Sequence, residues 1–344
     1  MTFVAPGAPV GTVDGVRYLA IPRARSRARR LAFGGLQVLR AALAAGADLY
    51  HFHDPELIPV GLVLRALGKR VVYDVHEDVP GQIRSKHWLP PVVRGGIARG
   101  TALVQWAGLR VFDGVVAADD DVAAGLGGAG VTVLRNFPLL AEFGRPGEVP
   151  YTARPAHVVH VGNLSRIRAS RELVEAAGLI PSVLDARLVL LGTFDDDGLG
   201  DEVTHLPGWQ RTEALGWCDR ATVAARLTQA RVGVVMFGPH PNHYAVRSNK
   251  VFEYMAAGLP VVGPDFPAWR SLIEGVGCGV VADPTRPTAI AEAIAGLLAD
   301  PARAQAMGER GRAAVLAEFN WESEFRRLVT LYERILGLPA PQPA

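Results

Sequence analysis

Short runs of consecutive apolar residues, rich in valine, alternate along this chain with longer stretches whose apolar positions recur every three to four residues. The first pattern suits strands buried on both faces and the second suits amphipathic crossover helices, so their alternation predicts a parallel α/β sheet covered on both sides. In the first half, strands are expected at Thr2–Gly7, Arg17–Ile21, Asp48–His51, Val71–Val75, Gly114–Ala117 and Val131–Leu134, with helices such as Phe33–Ala45 and Leu57–Leu67. Pro138 to Pro155 is rich in proline and glycine and weakly patterned, which reads as an interdomain linker. A second series follows, with strands at His157–Val161, Arg187–Leu191, Ala214–Trp217, Val232–Phe237, Pro260–Val262 and Gly279–Ala282. Its helices are expected at Ser170–Gly178, Arg220–Ala230, Asn249–Ala257, Thr288–Ala299 and Pro301–Phe319, and a last amphipathic helix covers Glu322–Leu336. The reading is two doubly wound domains, 1–148 and 149–320, with that helix at 321–337.

Such sheets bind ligands at the carboxyl ends of their strands, and polar clusters fall there. His51-Phe52-His53-Asp54 and His76-Glu77-Asp78 follow strands of the first half. Gly162-Asn163-Leu164-Ser165-Arg166-Ile167-Arg168 and His240-Pro241-Asn242-His243-Tyr244 follow strands of the second. The densest chemistry lies at 248–262, Ser-Asn-Lys-Val-Phe-Glu-Tyr-Met-Ala-Ala-Gly-Leu-Pro-Val-Val. Ser248 or Asn249 caps a helix, Gly258 stops it, and Leu259 to Val262 enters a buried strand. A helix start favours an anion by about 0.3–1 kcal/mol. Lys250 adds a full charge there, so a phosphorylated ligand is expected.

Charge sharpens this. The net charge is +2, yet residues 1–110 hold 15 Arg and Lys against 7 Asp and Glu. Arg23, Arg25, Arg27, Arg29 and Arg30 form a basic cluster suited to an anionic membrane surface as well as to solvent. Nucleic acid is not expected, because no stacking aromatics interleave with these arginines. The chain has three lysines, Lys69, Lys86 and Lys250, against 33 arginines, which makes the lysine at the helix start less casual. Two distant cysteines, Cys218 and Cys278, argue against a disulfide framework and for a cytoplasmic setting. No leader or membrane span is read at the N-terminus or elsewhere, which also argues against a periplasmic binding protein. His51-x-His53 with Asp54 resembles the metal pair of a barrel hydrolase, but that chemistry needs further ligands on later strands. Asp119–Asp121 and Asp195–Asp197 would fit a DxD manganese motif, yet both sit at loop-to-helix boundaries and read as caps. No metal site and no cofactor are therefore expected.

The GNLSRIR turn, the SNKVFEYMAAGLPVV segment, the NWESEFRRLVTLYERIL helix and the YDVHED segment together resemble the retaining nucleotide-sugar glycosyltransferases of family 4, glycosyl transferases group 1, with the two-Rossmann GT-B fold. The resemblance runs from Val4 to about Leu336 and is most specific over 157–265. It implies a UDP- or GDP-sugar donor in the second half and an acceptor, a saccharide or lipid-linked glycan, in the first. It also implies transfer with retention without an obligatory metal, and a last helix that packs back on the first domain. Arg168 stands where the family places a basic residue on the donor diphosphate, with Arg166 beside it and Lys250 at the helix start. Glu253 matches the glutamate that takes the ribose hydroxyls, and His76 matches the histidine against the donor sugar. Gly162, Asn163, Asn242, His243, Ser248 and Asn249 complete the expected donor side; His53, Glu77 and Asp78 are expected on the acceptor side. Two positions depart from the family. Ala245 replaces a second glutamate that touches the donor sugar. The usual opening strand, glycine-rich loop and helix are missing before Thr2, so the reading expects a coding start upstream, with a reduced or catalytically silent nucleotide-sugar-binding relative as the alternatives. The expected setting is cytoplasmic, peripheral on the inner face of the plasma membrane.

Overall fold

The computed structural model describes residues 1–9, 11–23, 26, 34–76, 79–85, 90–127, 130–143, 149–240, 243–244 and 248–339. Glu77, Asp78, Asn242, Ala245, Arg25, Arg27, Arg29 and Arg30 lie outside them. The chain divides into two compact units, Met1–Arg135 with Glu324–Ala344, and Asn136–Ser323.

The first unit opens with β1 (Thr2–Pro6), β2 (Gly11–Val13) and β3 (Val16–Ile21), paired in the order β1-β3-β2. β1 runs parallel to β3, and β2 forms an antiparallel hairpin with it. Asp14 and Gly15 make the hairpin's two-residue turn with φ of 49° and 76°, the left-handed pair that an Asp-Gly dipeptide supplies. That hairpin was not among the expected strands, although Asp14-Gly15 signals it. After α1 (Gly35–Ala45) comes a separate parallel sheet in the order β4-β5-β6-β7. Its strands are β4 (Leu49–Phe52), β5 (Arg70–Val75), β6 (Gly114–Ala117) and β7 (Val131–Val133). Helices α2 (Ile58–Ala66), α3 (Val79–Ser85), α4 (Pro91–Val111) and α5 (Asp120–Gly125) connect them. Ile58, Leu64, Val71, Tyr73, Val75 and Phe112 form one core face. The other face holds Val72, Val116 and Leu134, covered by Leu328, Leu331, Tyr332 and Ile335 of the C-terminal helix (Trp321–Leu336). Gly114 makes that approach close: a Cβ there would stand 2.8 Å from Ile335 Cδ1.

The second unit is one parallel sheet of six strands in the order β10-β9-β8-β11-β12-β13. These are β8 (His157–Val161), β9 (Arg187–Leu191), β10 (Thr212–Gly216), β11 (Val232–Val234), β12 (Val261–Pro264) and β13 (Gly279–Ala282). The helices are α6 (Ser170–Leu179), α7 (Asp197–Thr204), α8 (Arg220–Gln229), α9 (Asn249–Ala256), α10 (Pro267–Val276), α11 (Pro287–Ala299) and α12 (Pro301–Ala317). Strand order reverses between β8 and β11, and a crevice opens at such a switch point. β11 ends earlier than its apolar run: Val235 N–H still donates to Val262 C=O at 3.0 Å, and Gly238 N–H then donates to Ile167 C=O at 2.8 Å. The presumed linker contributes to the second core. Phe137 and Phe143 are buried there, and the Phe137 ring lies 4.7 Å from that of Phe252. The second compact unit begins at Asn136.

Candidate functional site

In the second unit the turn after β8 is built for close approach. Gly162 has φ +124°, where a side chain is strained, and its N–H donates to Leu191 C=O. Leu164 N–H donates to Thr193 C=O, so this turn lies along the turn after β9. A Cβ on Gly192 would meet Gly162 C=O oxygen at 1.9 Å, so only glycine fits. The chain then makes a single 3-10 turn at Arg166–Arg168 and enters α6 through Ala169 at φ +49°.

Arg168 and Lys250 meet over Gly162. A Cβ at that position would lie 3.1 Å from Arg168 Nη1 and 3.6 Å from Lys250 Cε. Arg168 Nη1 also donates to Asn163 C=O at 3.4 Å, and its guanidinium lies 5.9 Å from the centre of the Phe237 ring. Two cationic side chains thus converge over a glycine whose missing side chain leaves them the space to approach. Ser248 is the cap of α9 and its Oγ accepts from Lys250 N–H at 3.3 Å. Asn249 occupies the first turn of the same helix and lines the cavity described below.

Arg166 turns elsewhere. Its Nη2 pairs with Glu202 at 2.7 Å on α7, and Glu202 also takes Arg171. Neighbouring residues on a 3-10 turn project in different directions, so the doubled arginine of the sequence yields one guanidinium over Gly162 and one bound to α7. His243 is fixed by its own loop: Nδ1 bonds Gly238 C=O at 2.8 Å, and its carbonyl accepts from Trp269 Nε1 at 3.1 Å.

Glu253 is buried on α9, 5% exposed, between two cations. Lys250 Nζ stands 3.4 Å from its Oε2 and Arg220 Nη1 2.8 Å from its Oε1. Arg220 also binds Glu142, and these carboxylate hydrogen bonds, from Glu142 first, hold its guanidinium pKa above the usual arginine value. A cavity of about 340 Å³ opens here, lined by Phe137, Glu142, Arg220, Asn249, Glu253 and Trp321 among others. Sequence spacing missed Arg220 and Glu142, since nothing local pairs residues 33 and 78 positions from their partners.

His160 lies under this corner, fully buried at the end of β8. Its Nδ1 bonds Val234 C=O at 3.1 Å, while Nε2 finds no partner among the described residues. Burial first, then the charges of Arg168 and Lys250, push its pKa down to about 4, against the backbone bond that raises it. The ring is neutral at pH 7, and Nε2 is a buried acceptor beside a cationic site.

In the first unit, His51, His53 and His76 gather on Asp74. Burial would raise the Asp74 pKa, but bonds from His51 and His53 and the neighbouring imidazole charges hold it well below the usual carboxylate range. The bond to Asp74 in turn raises His53. The two acidic runs are caps: Asp119 accepts from Val122 N–H and Asp196 from Gly198 N–H.

A turn that brings two cations over a glycine, a capped helix start and a buried carboxylate beside a cavity come together on a six-stranded parallel sheet of Rossmann-like fold. Residues 155–300 match the family described as glycosyl transferases group 1. The glycogen synthase of Mycobacterium tuberculosis is 24% identical over 307 residues, covering 86% of this chain and 71% of that protein. Among solved structures, sucrose-phosphate synthase from Thermosynechococcus elongatus superposes with a TM-score of 0.70 at 23% identity, over 96% of this chain and 87% of that one. Anabaena HepE in complex with UDP-glucose gives 0.67 at 17% identity, over 94% and 87%. The fold is that of the GT-B glycosyltransferases, and these matches support a glycosyltransferase of group 1.

Proposed function

We propose that the protein is a retaining glycosyltransferase that moves a sugar from a UDP- or GDP-sugar to a hydroxyl of a saccharide or lipid-linked acceptor. The observation that carries the reading is the convergence of Arg168 and Lys250 above Gly162, beside the start of α9. The donor diphosphate would lie against both cations and the Ser248 end of that helix. Charge grows on the leaving diphosphate as the glycosidic bond breaks, and fixed cations stabilise it at that moment. Guanidinium adds bidentate geometry that suits phosphate. Glu253 is assigned to the ribose hydroxyls and Asn249 to the nucleotide side, next to the cavity they share. The first unit is assigned the acceptor, with His53 there and His76 assigned to the donor sugar. HepE, a structural neighbour, is described in complex with UDP-glucose, which favours a uridine donor among the candidates.

An anionic membrane surface is the second partner in this reading. Along α4, Val92, Val93, Ile97, Leu103, Val104, Trp106 and Val111 are exposed. The Arg110 guanidinium lies 3.8 Å from the centre of the Trp106 ring, so basic and apolar groups share this helix. No described helix is long and apolar enough to cross a membrane.

Nucleotide release from a panel of UDP- and GDP-sugars, with acceptor present, tests the activity. Turnover with at least one donor is expected, with α-configured product from an α-configured donor. Nucleotide binding without turnover on any donor would instead identify a silent relative, and near-normal turnover after both Arg168→Ala and Lys250→Ala would remove the proposed phosphate site.

A further inference from the structure

In the first unit, residues two apart at the ends of adjacent strands share a face, and the sequence places His51 and His53 on one strand end and Asp74 and His76 on the next. The β4–β5 register pairs Phe52 with Tyr73, which carries His53 to the level of Asp74. The result is a focus of donors. His51 Nε2, His53 Nδ1 and His76 Nε2 lie 3.5, 3.1 and 3.6 Å from the same Asp74 Oδ2. His53 Nδ1 and His76 Nε2 are 3.0 Å apart. The donor atoms of His51, His53 and Asp74 all fall within 4.8 Å of one another.

In a tetrahedral site with bonds of about 2.1 Å, neighbouring ligand atoms stand about 3.4 Å apart, and the His51–Asp74 and His53–Asp74 separations of 3.5 and 3.1 Å bracket that spacing. His51 is also oriented as a metal-bound histidine is. Its Nδ1 bonds Tyr332 Oη at 2.5 Å, which fixes the ring and turns Nε2 toward Asp74. That Nε2 is buried and has no hydrogen bond among the described residues. A proton on Nε2 or a metal ion between the two atoms would satisfy this pair. His53 and His76 are each about half exposed, 55%, which leaves an entry path.

We propose that His51, His53 and Asp74 bind a divalent transition-metal ion of the zinc type, leaving a fourth position open. Two imidazoles and one carboxylate select such ions over magnesium or calcium. The ion would replace the His53–His76 hydrogen bond and tie β4 to β5 and, through Tyr332, to the C-terminal helix. The sequence spacing had offered Asp54 as partner of the histidine pair, whereas the fold supplies Asp74 from the neighbouring strand.

The test is titration of metal-stripped full-length protein with Zn²⁺ by calorimetry, and with Co²⁺ by its visible ligand-field bands. One equivalent with a tetrahedral Co²⁺ spectrum is expected. His53→Gln, at a half-exposed position, and Asp74→Asn should each weaken binding by more than ~100-fold, and Tyr332→Phe by ~10-fold or more. His157→Gln, outside the cluster, should leave it unchanged. Absence of stoichiometric binding, or unchanged binding in His53→Gln with the fold intact by circular dichroism, overturns the proposal. Binding of UDP and GDP is measured in the same metal-stripped preparations, so failure of the metal site is distinct from failure of the transferase reading.

Discussion

Glu253 is held by Lys250 on one carboxylate oxygen and Arg220 on the other, and that pairing sets what a nucleotide must displace. In the proposed reading a diphosphate would draw Lys250 away, and Arg220 would keep the carboxylate in place for a ribose. Glu253→Gln retains the shape and removes the charge. It is expected to weaken UDP or GDP binding by ~10-fold while leaving inorganic pyrophosphate binding within two- to threefold, since one charge-assisted hydrogen bond is at stake (about 1.5–3 kcal/mol). Parallel loss for both ligands in calorimetry would contradict a ribose role. His160 makes a separate residue-scale prediction. Its pKa is depressed in the folded protein from 6.5 to about 4, chiefly by burial. Its contribution is therefore complete above pH 6.5 and is lost as pH falls toward 4, when the unfolded chain takes a proton that the native state refuses. The difference amounts to about 3 kcal/mol. Chemical denaturation across that range should show a shallower acid loss for His160→Gln than for the parent, and equal slopes would contradict it. What the sequence showed at this scale were residues acting through their own local geometry. Ser248, Lys250 and Glu253 sit on one helix turn and were legible. The Arg220–Glu253 pair and the turning of Arg166 to Glu202 depend on partners 33 and 36 positions away, and no local pattern reports them.

Among the elements, strands Gly114–Ala117, His157–Val161, Arg187–Leu191 and Gly279–Ala282 fall at the residues their apolar runs mark. Strands buried on both faces leave an uninterrupted hydrophobic signature, and polar or glycine residues bracket it. Of the hairpin at Asp14-Gly15, β3 was read from its apolar run, while β2 escaped because it is three residues long and exposed, leaving turn chemistry as its sole cue. The strand expected to reach Phe237 stops at Val234, although Val235 and Met236 stay buried, so an apolar run alone overestimates its length. Proline and glycine in 138–155 marked a linker, although Phe143 and Tyr151 of that stretch are buried in the cores of the second unit. The paired turns after β8 and β9 give the element-scale prediction. Gly192→Ala sets a methyl 1.9 Å from the Gly162 carbonyl and must displace backbone. Destabilisation of about 1–3 kcal/mol is expected in urea unfolding, with weaker diphosphate binding because Gly162 moves beneath Arg168 and Lys250. Unchanged stability would show that the two turns are not packed as described.

For the molecule as a whole, charge and apolar surface concentrate in the same unit: the excess of basic residues over 1–110 and the exposed face of α4. A surface of this kind binds anionic bilayers through two additive terms, of which only the electrostatic one is screened by salt. Co-sedimentation with phosphatidylglycerol vesicles is expected at low salt, with most of it lost at high salt, and Trp106→Ala should reduce what remains. Equal sedimentation with neutral vesicles would contradict an electrostatic component. The second unit holds the chemistry on which everything else depends. The most direct measurement of the central claim is calorimetric titration of UDP and GDP into the parent protein, Arg168→Ala and Lys250→Ala. One of the two nucleotides should bind the parent, and each substitution should weaken that binding by ~10–100-fold, the range set by a charged phosphate contact. Binding of neither nucleotide, or equal affinity in all three proteins, would contradict it.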